Sequence, residues 1–175
     1  MAVEKRPNAV TFKGNPVTLV GPKLKAGDKA PDFHCLSGLD VVTLAKTPGK
    51  ARMFSVVPSL DTSVCSMQTH KFDQAVAALK DKVACYTVSL DLPFAQKRFC
   101  GAENLGNMKT LSDTHDQSFG RNYGVLIEGL ALPLLSRAVF VVDKGGTITY
   151  AEYVTEVASH PNYDNALAAL KAAAG

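Results

Sequence analysis

Within a chain of 175 residues, the segment Pro58, Ser59, Leu60, Asp61, Thr62, Ser63, Val64, Cys65 holds the side chains best suited to chemistry. The apolar run Met53–Val57 reads as a buried strand that Pro58 stops. Downstream, Phe72, Val76 and Leu79 fall on one stripe of a helix covering Val64–Leu79. Cys65 therefore lies in the first helical turn, where unbonded amides and the positive end of the helix dipole favour a thiolate. Thr62, three residues upstream, can donate its hydroxyl proton to that sulfur or to an oxygen bonded to it. The implied chemistry is nucleophilic attack by sulfur. A plainer reading stands beside it on these residues alone: a buried cysteine that happens to lie near a helix start.

Other reactive side chains offer less. Cys35, Cys65, Cys85 and Cys100 form no C-x-x-C pair, which argues against a structural zinc site and a thioredoxin-type redox motif. His70 is turned about 140° from Cys65 on a helix, so the two share neither a metal nor a proton. His34, His115 and His160 have no partner at recognisable spacing and are expected at the surface. Asp61, Asp113 and Asp116 suit helix caps or turns rather than an acid–base pair. Asp143-Lys144-Gly145-Gly146 is a hairpin turn, not a phosphate loop. No metal, haem, flavin or other cofactor is implied.

Composition excludes further classes. Nineteen Lys and Arg against 16 Asp and Glu give +3, thinly spread, which does not suit a nucleic-acid partner. No apolar run approaches the ~20 residues of a membrane span, and Met1–Lys13 lacks the apolar core of a signal peptide. A cytoplasmic protein with reduced cysteines is expected.

These residues need elements to hold them. Val10–Lys13 and Val17–Val20 read as a hairpin turned at Gly14-Asn15-Pro16, and a Gly- and Pro-containing connection leads to a short strand at Val41–Leu44. Beyond the Cys65 helix, strands are expected at Ala84–Leu90 and Met108–Leu111, with helices at Phe94–Cys100 and Gln117–Tyr123. Ala138–Val142 and Thr147–Val154 form a second hairpin, and Leu167 and Leu170 mark a closing helix over Tyr163–Ala173. The alternation predicts a single α/β domain over residues 1–175: a thioredoxin-like fold, its mixed central sheet flanked by helices, with an added N-terminal β-hairpin. Fold alone does not assign function.

Three motifs then point to a family. Pro58, Thr62 and Cys65 reproduce a P-x-x-x-T-x-x-C signature, Asp91–Glu103 matches a segment bearing a second cysteine, and Ser136-Arg137-Ala138-Val139 matches a strand start bearing an arginine. Over nearly its whole length the chain resembles the thiol peroxidase branch of the peroxiredoxin family, the atypical two-cysteine type. The resemblance implies that Cys65 attacks a hydroperoxide and becomes a sulfenic acid. Arg137, Thr62 and Pro58 then support that step, and Cys100 resolves it as an intramolecular disulfide. Thioredoxin is the implied reductant, and a homodimer the implied assembly. Gly129–Ser136 is more apolar than the family's loop before the arginine, and Cys35 and Cys85 have no family counterpart and are expected to be structural. Within Val125–Leu135, Gly129 and Pro133 disfavour one regular element, so the run is expected as an apolar loop that a second copy covers.

Two other classes compete: a peroxide-sensing thiol–disulfide regulator using the same cysteine pair, and a binding module whose cysteines only fill the core. The missing C-x-x-C weighs against the first, and the set Pro58, Thr62, Cys65 against the second.

Overall fold

The strands that carry the longest apolar runs lie at the centre. In chain order the strands are β1 (Lys5–Phe12), β2 (Asn15–Val20), β3 (Cys35–Ser37), β4 (Asp40–Val42) and β5 (Ala51–Val56). They continue as β6 (Val83–Ser89), β7 (Met108–Ser112), β8 (Leu126–Glu128), β9 (Ala138–Val142) and β10 (Ile148–Tyr153). The helices are α1 (Ser63–Val76), α2 (Pro93–Ala102), α3 (Ser118–Asn122) and α4 (Tyr163–Ala174). The computed structural model describes residues 3–79 and 81–175.

β5 and β9 are buried at every residue, as strands covered on both faces must be. They pair antiparallel with Phe54 opposite Phe140, while β6 runs parallel along the other side of β5 with Met53 opposite Cys85. β7 adds a further parallel strand, and the full sheet has seven strands in the order β10-β9-β5-β6-β7-β3-β4.

Side chains alternate across this sheet. Met53, Cys85, Val139 and Val141 face Phe72 and Val76 of α1 and Ala166 and Leu170 of α4. Phe54, Val56, Tyr86 and Phe140 face the opposite way, onto Phe33, Phe119 and Tyr123. The Phe119 and Tyr123 rings stack with centroids 4.1 Å apart. The fold is α/β and thioredoxin-like, with helices on both sheet faces.

The N-terminal hairpin is present, but it turns elsewhere than expected. Phe12 pairs with Asn15 and Thr11 with Pro16, so Lys13-Gly14 is the two-residue turn. Both residues have positive φ (50° and 81°), the backbone that matches the twist of a tight hairpin. A second difference concerns the apolar run Val125–Leu135. Its first part is not loop: β8 adds to β2 as the third strand of a small sheet. Val125, Leu126, Ile127 and Leu135 are buried, and only Leu130 and Leu132 of the run are exposed large hydrophobics. Alternation over three residues is too short a signal to separate such a strand from a loop. The three-residue β3 went unanticipated for the same reason.

Gly21 and Gly124 hold the small sheet against the end of α3. A Cβ on Gly21 would fall 1.9 Å from the Arg121 carbonyl oxygen, and one on Gly124 the same distance from that of Pro22. Arg6 donates to the carbonyls of both glycines.

Candidate active site

The strand-to-helix junction after β5 positions the sulfur. α1 begins at Ser63, so Cys65 is its third residue, and Thr62 is the N-cap with extended backbone. An N-cap threonine ordinarily accepts from a first-turn amide, a bond worth about 1 kcal/mol. Here the Thr62 side chain makes no capping bond. Its Oγ1 lies 2.7 Å from Cys65 Sγ and 2.9 Å from the Ser59 carbonyl oxygen. With one proton, the hydroxyl can donate to the sulfur or to the carbonyl. Helix stability is thus given up for contact with the sulfur.

Cys65 is fully buried, and so is the cation beside it. Arg137 precedes β9 and is 2% exposed. Its Nη2 donates to Cys65 Sγ at 3.3 Å, its Nη1 to Gln68 Oε1 at 3.0 Å and its Nε to the Val157 carbonyl at 2.7 Å. Among the described residues none of these acceptors is a carboxylate. The guanidinium is thus buried against the Cys65 sulfur, with two uncharged oxygens as its other acceptors. Gln68 in turn donates its amide to Ser55 Oγ at 2.7 Å, which turns its oxygen toward the arginine.

Asp91 fixes the preceding loop. Its carboxylate accepts from Ser59 Oγ (2.7 Å), the Leu60 amide (2.8 Å) and Ser89 Oγ (2.7 Å). Val57 and Leu60 pack around Cys65 together with Phe99, and Pro58 is buried where β5 ends. Thr62 itself is exposed, so the hydroxyl stands between solvent and a buried sulfur. The arrangement can hold an anionic sulfur and offer hydrogen bonds to an oxygen approaching it.

Cys100 lies apart from this cluster. The helix expected over Phe94–Cys100 is present as α2, and Cys100 sits in its C-terminal half. It is half-buried, whereas the other three cysteines are buried, and all four are free. Burial pushes its thiol up, with a hydrogen bond to Thr110 opposing and the Asp73 charge adding to the rise. Asp73 follows Cys65 by two helical turns, about 12 Å along the axis of α1. The structure joins Thr62, Cys65 and Arg137, and it leaves Cys100 unbonded to Cys65.

The remaining cysteines are core. Burial pushes the Cys85 thiol up to about 12. Burial, then the Asp113 carboxylate 3.7 Å from its sulfur, pushes Cys35 up further. Both are held as inert thiols. Three of the four histidines are partnered through space: His34 with Asp116, His70 with Glu103 and His160 with Tyr163. Asp113 and Asp116 accept amides at the start of α3, as turn and cap residues do.

Gln68, Asp91 and the pair His70–Glu103 escaped sequence reasoning. Gln68 carried one usable signal, its i+3 spacing from Cys65 on the same helix face. The others depend on contacts between distant segments.

Comparison with known proteins gives the chain a family. A Redoxin family profile matches residues 25–167. The chain is 54% identical over 166 residues to a thiol peroxidase of Halalkalibacterium halodurans, covering 94% of this chain and 98% of the relative. It is 51% identical to a thiol peroxidase of Bacillus subtilis, covering 93% and 96% respectively. A solved peroxiredoxin-like protein from Aquifex aeolicus superposes with a TM-score of 0.88 at 40% identity, covering 98% of this chain and 99% of that one.

Proposed function

The chain belongs to the Redoxin family and is a peroxide-reducing oxidoreductase of the thiol peroxidase type; from that premise we propose how its own residues carry the reaction. Cys65 is the peroxidatic nucleophile. Its thiolate attacks the terminal oxygen of a hydroperoxide, forming an S–O bond as the O–O bond breaks. The departing oxygen takes up a proton and leaves as an alcohol, or as water when the substrate is hydrogen peroxide. Cys65 is left as a sulfenic acid. Arg137 holds the anionic sulfur and the peroxide oxygens, Thr62 orients both through its hydroxyl, and Pro58 keeps water from the sulfenic acid.

The observation that carries this reading is the convergence of the Arg137 guanidinium and the Thr62 hydroxyl on one buried sulfur. Cys100 then attacks the sulfenic sulfur, and an intramolecular disulfide forms with loss of water. Both cysteines lie within helices, and a disulfide needs Cα atoms within about 7 Å, so part of α2 must unwind for this step. Thioredoxin supplies the two electrons that restore the thiols. The cycle suits a cytoplasmic protein with free thiols, acting as one domain and as a homodimer.

The test is hydroperoxide-dependent oxidation of NADPH coupled through thioredoxin reductase and thioredoxin. Steady turnover in the wild type and none in Cys65→Ser support the reading. A protein that forms the disulfide yet fails to turn over would be a peroxide sensor instead.

A further inference from the structure

The two halves of α2 are held very differently. In the N-terminal half, Pro93 and Gln96 are buried, and Gln96 Nε2 donates to Ser89 Oγ at 3.0 Å and to the Leu111 carbonyl at 2.9 Å. Beyond Gln96, only Phe99 and Cys100 of α2 are even half-buried. Gly101 follows Cys100 directly, and a helical glycine costs about 1 kcal/mol relative to alanine. The turn that bears Cys100 is therefore weak by sequence and by burial.

One side-chain contact, between His70 and Glu103, clasps that turn to α1. His70 Nε2 lies 2.8 Å from Glu103 Oε2, and the His70 and Phe99 rings meet edge to face at 6.5 Å. Glu103 is the C-cap of α2, where a negative charge opposes the helix dipole. The His70 ring is hydrogen-bonded to that carboxylate. Unwinding the turn must break the pair, because Glu103 moves with the backbone that carries Cys100.

We propose that His70 and Glu103 are positioning residues that latch the Cys100 turn, and that the latch together with Gly101 sets the rate of disulfide formation. The inference rests on the assignment of Cys65 and Cys100 given above. In the gated step the Cys100 sulfur attacks the sulfenic sulfur of Cys65, an S–S bond replaces the S–O bond, and hydroxide leaves with the thiol proton as water. No outside oxidant or reductant enters. A tighter latch lengthens the life of the sulfenic acid and exposes it to a second peroxide, which yields sulfinic acid.

The experiment mixes reduced protein with hydrogen peroxide, quenches it at successive times, and separates sulfenic acid, disulfide and sulfinic acid by mass. In His70→Gln, disulfide formation is expected about two- to fivefold faster, the range of a half-exposed hydrogen bond, with less sulfinic acid. His70→Arg, which can donate to the same carboxylate, is expected to restore the wild-type rate. Gly101→Ala has open space for its methyl and should slow the step up to about fivefold, with more sulfinic acid. Formation of the sulfenic acid should not change in any of them. Glu103→Gln opens the latch from the other side and gives the same direction should His70→Gln fold poorly. A His70→Gln or Glu103→Gln rate at or below wild type, or a Gly101→Ala rate that does not fall, overturns the latch. Absence of any Cys65–Cys100 disulfide in the wild type overturns the assignment beneath it, and the latch with it.

Discussion

At the scale of single residues, Thr62 and Arg137 have different standing. Thr62 is exposed and caps nothing, so Thr62→Val is expected to lower kcat/KM about ten- to a hundredfold while leaving the melting temperature nearly unchanged. Arg137 ties α1 to the Val157 backbone as well as touching the sulfur, so Arg137→Met should cost both activity, about a hundredfold or more, and stability. Coupled peroxidase assays and thermal melts on the two variants check this split. Pro58, Thr62 and Cys65 are legible in the sequence as a candidate set because they lie within one short segment. Arg137 became a site residue only through resemblance, since 72 positions separate it from Cys65. Gln68 and Asp91 were illegible because their roles exist only once β5, α1 and the loop after β6 have met.

At the scale of elements, α1 and α2 are legible as helices, yet the end of α2 is not: the sequence closes it at Cys100 and the structure carries it to Ala102. Apolar periodicity ends before Ala102, although the helix runs on to it. The strand β8 was hidden because a three-residue strand has no period to detect. α3 offers a test of its own. Burial raises the Asp113 carboxyl to about 6, against the hydrogen bonds from the Gly120 and Phe119 amides, which lower it. A carboxyl whose folded value is raised contributes stability that is fully present below its unfolded value, near 4, and is lost as pH rises through about 6. Denaturant midpoints measured between pH 4 and pH 7 should therefore decline more steeply for the wild type than for Asp113→Asn. Parallel slopes would contradict the burial argument.

At the scale of the whole molecule, several large apolar side chains remain in solvent: Leu132 is 66% exposed, Phe94 63% and Leu92 59%. The expected dimer would cover such residues, and the burial of Leu135 and Ile127 narrows the apolar loop available to it to Leu130 and Leu132. Light scattering of the reduced protein should give twice the chain mass, and Leu132→Asp should shift it toward monomer without unfolding. A monomer mass for the wild type would contradict the assembly. The central claim is that Cys65 takes the oxygen and Cys100 closes the cycle within one chain. Peptide mass mapping after one equivalent of hydroperoxide tests it most directly. The account predicts a Cys65–Cys100 linked peptide in a non-covalent assembly, and a stalled sulfenic acid at Cys65 in Cys100→Ser. An unmodified Cys65, or a Cys65–Cys85 linkage, would contradict it.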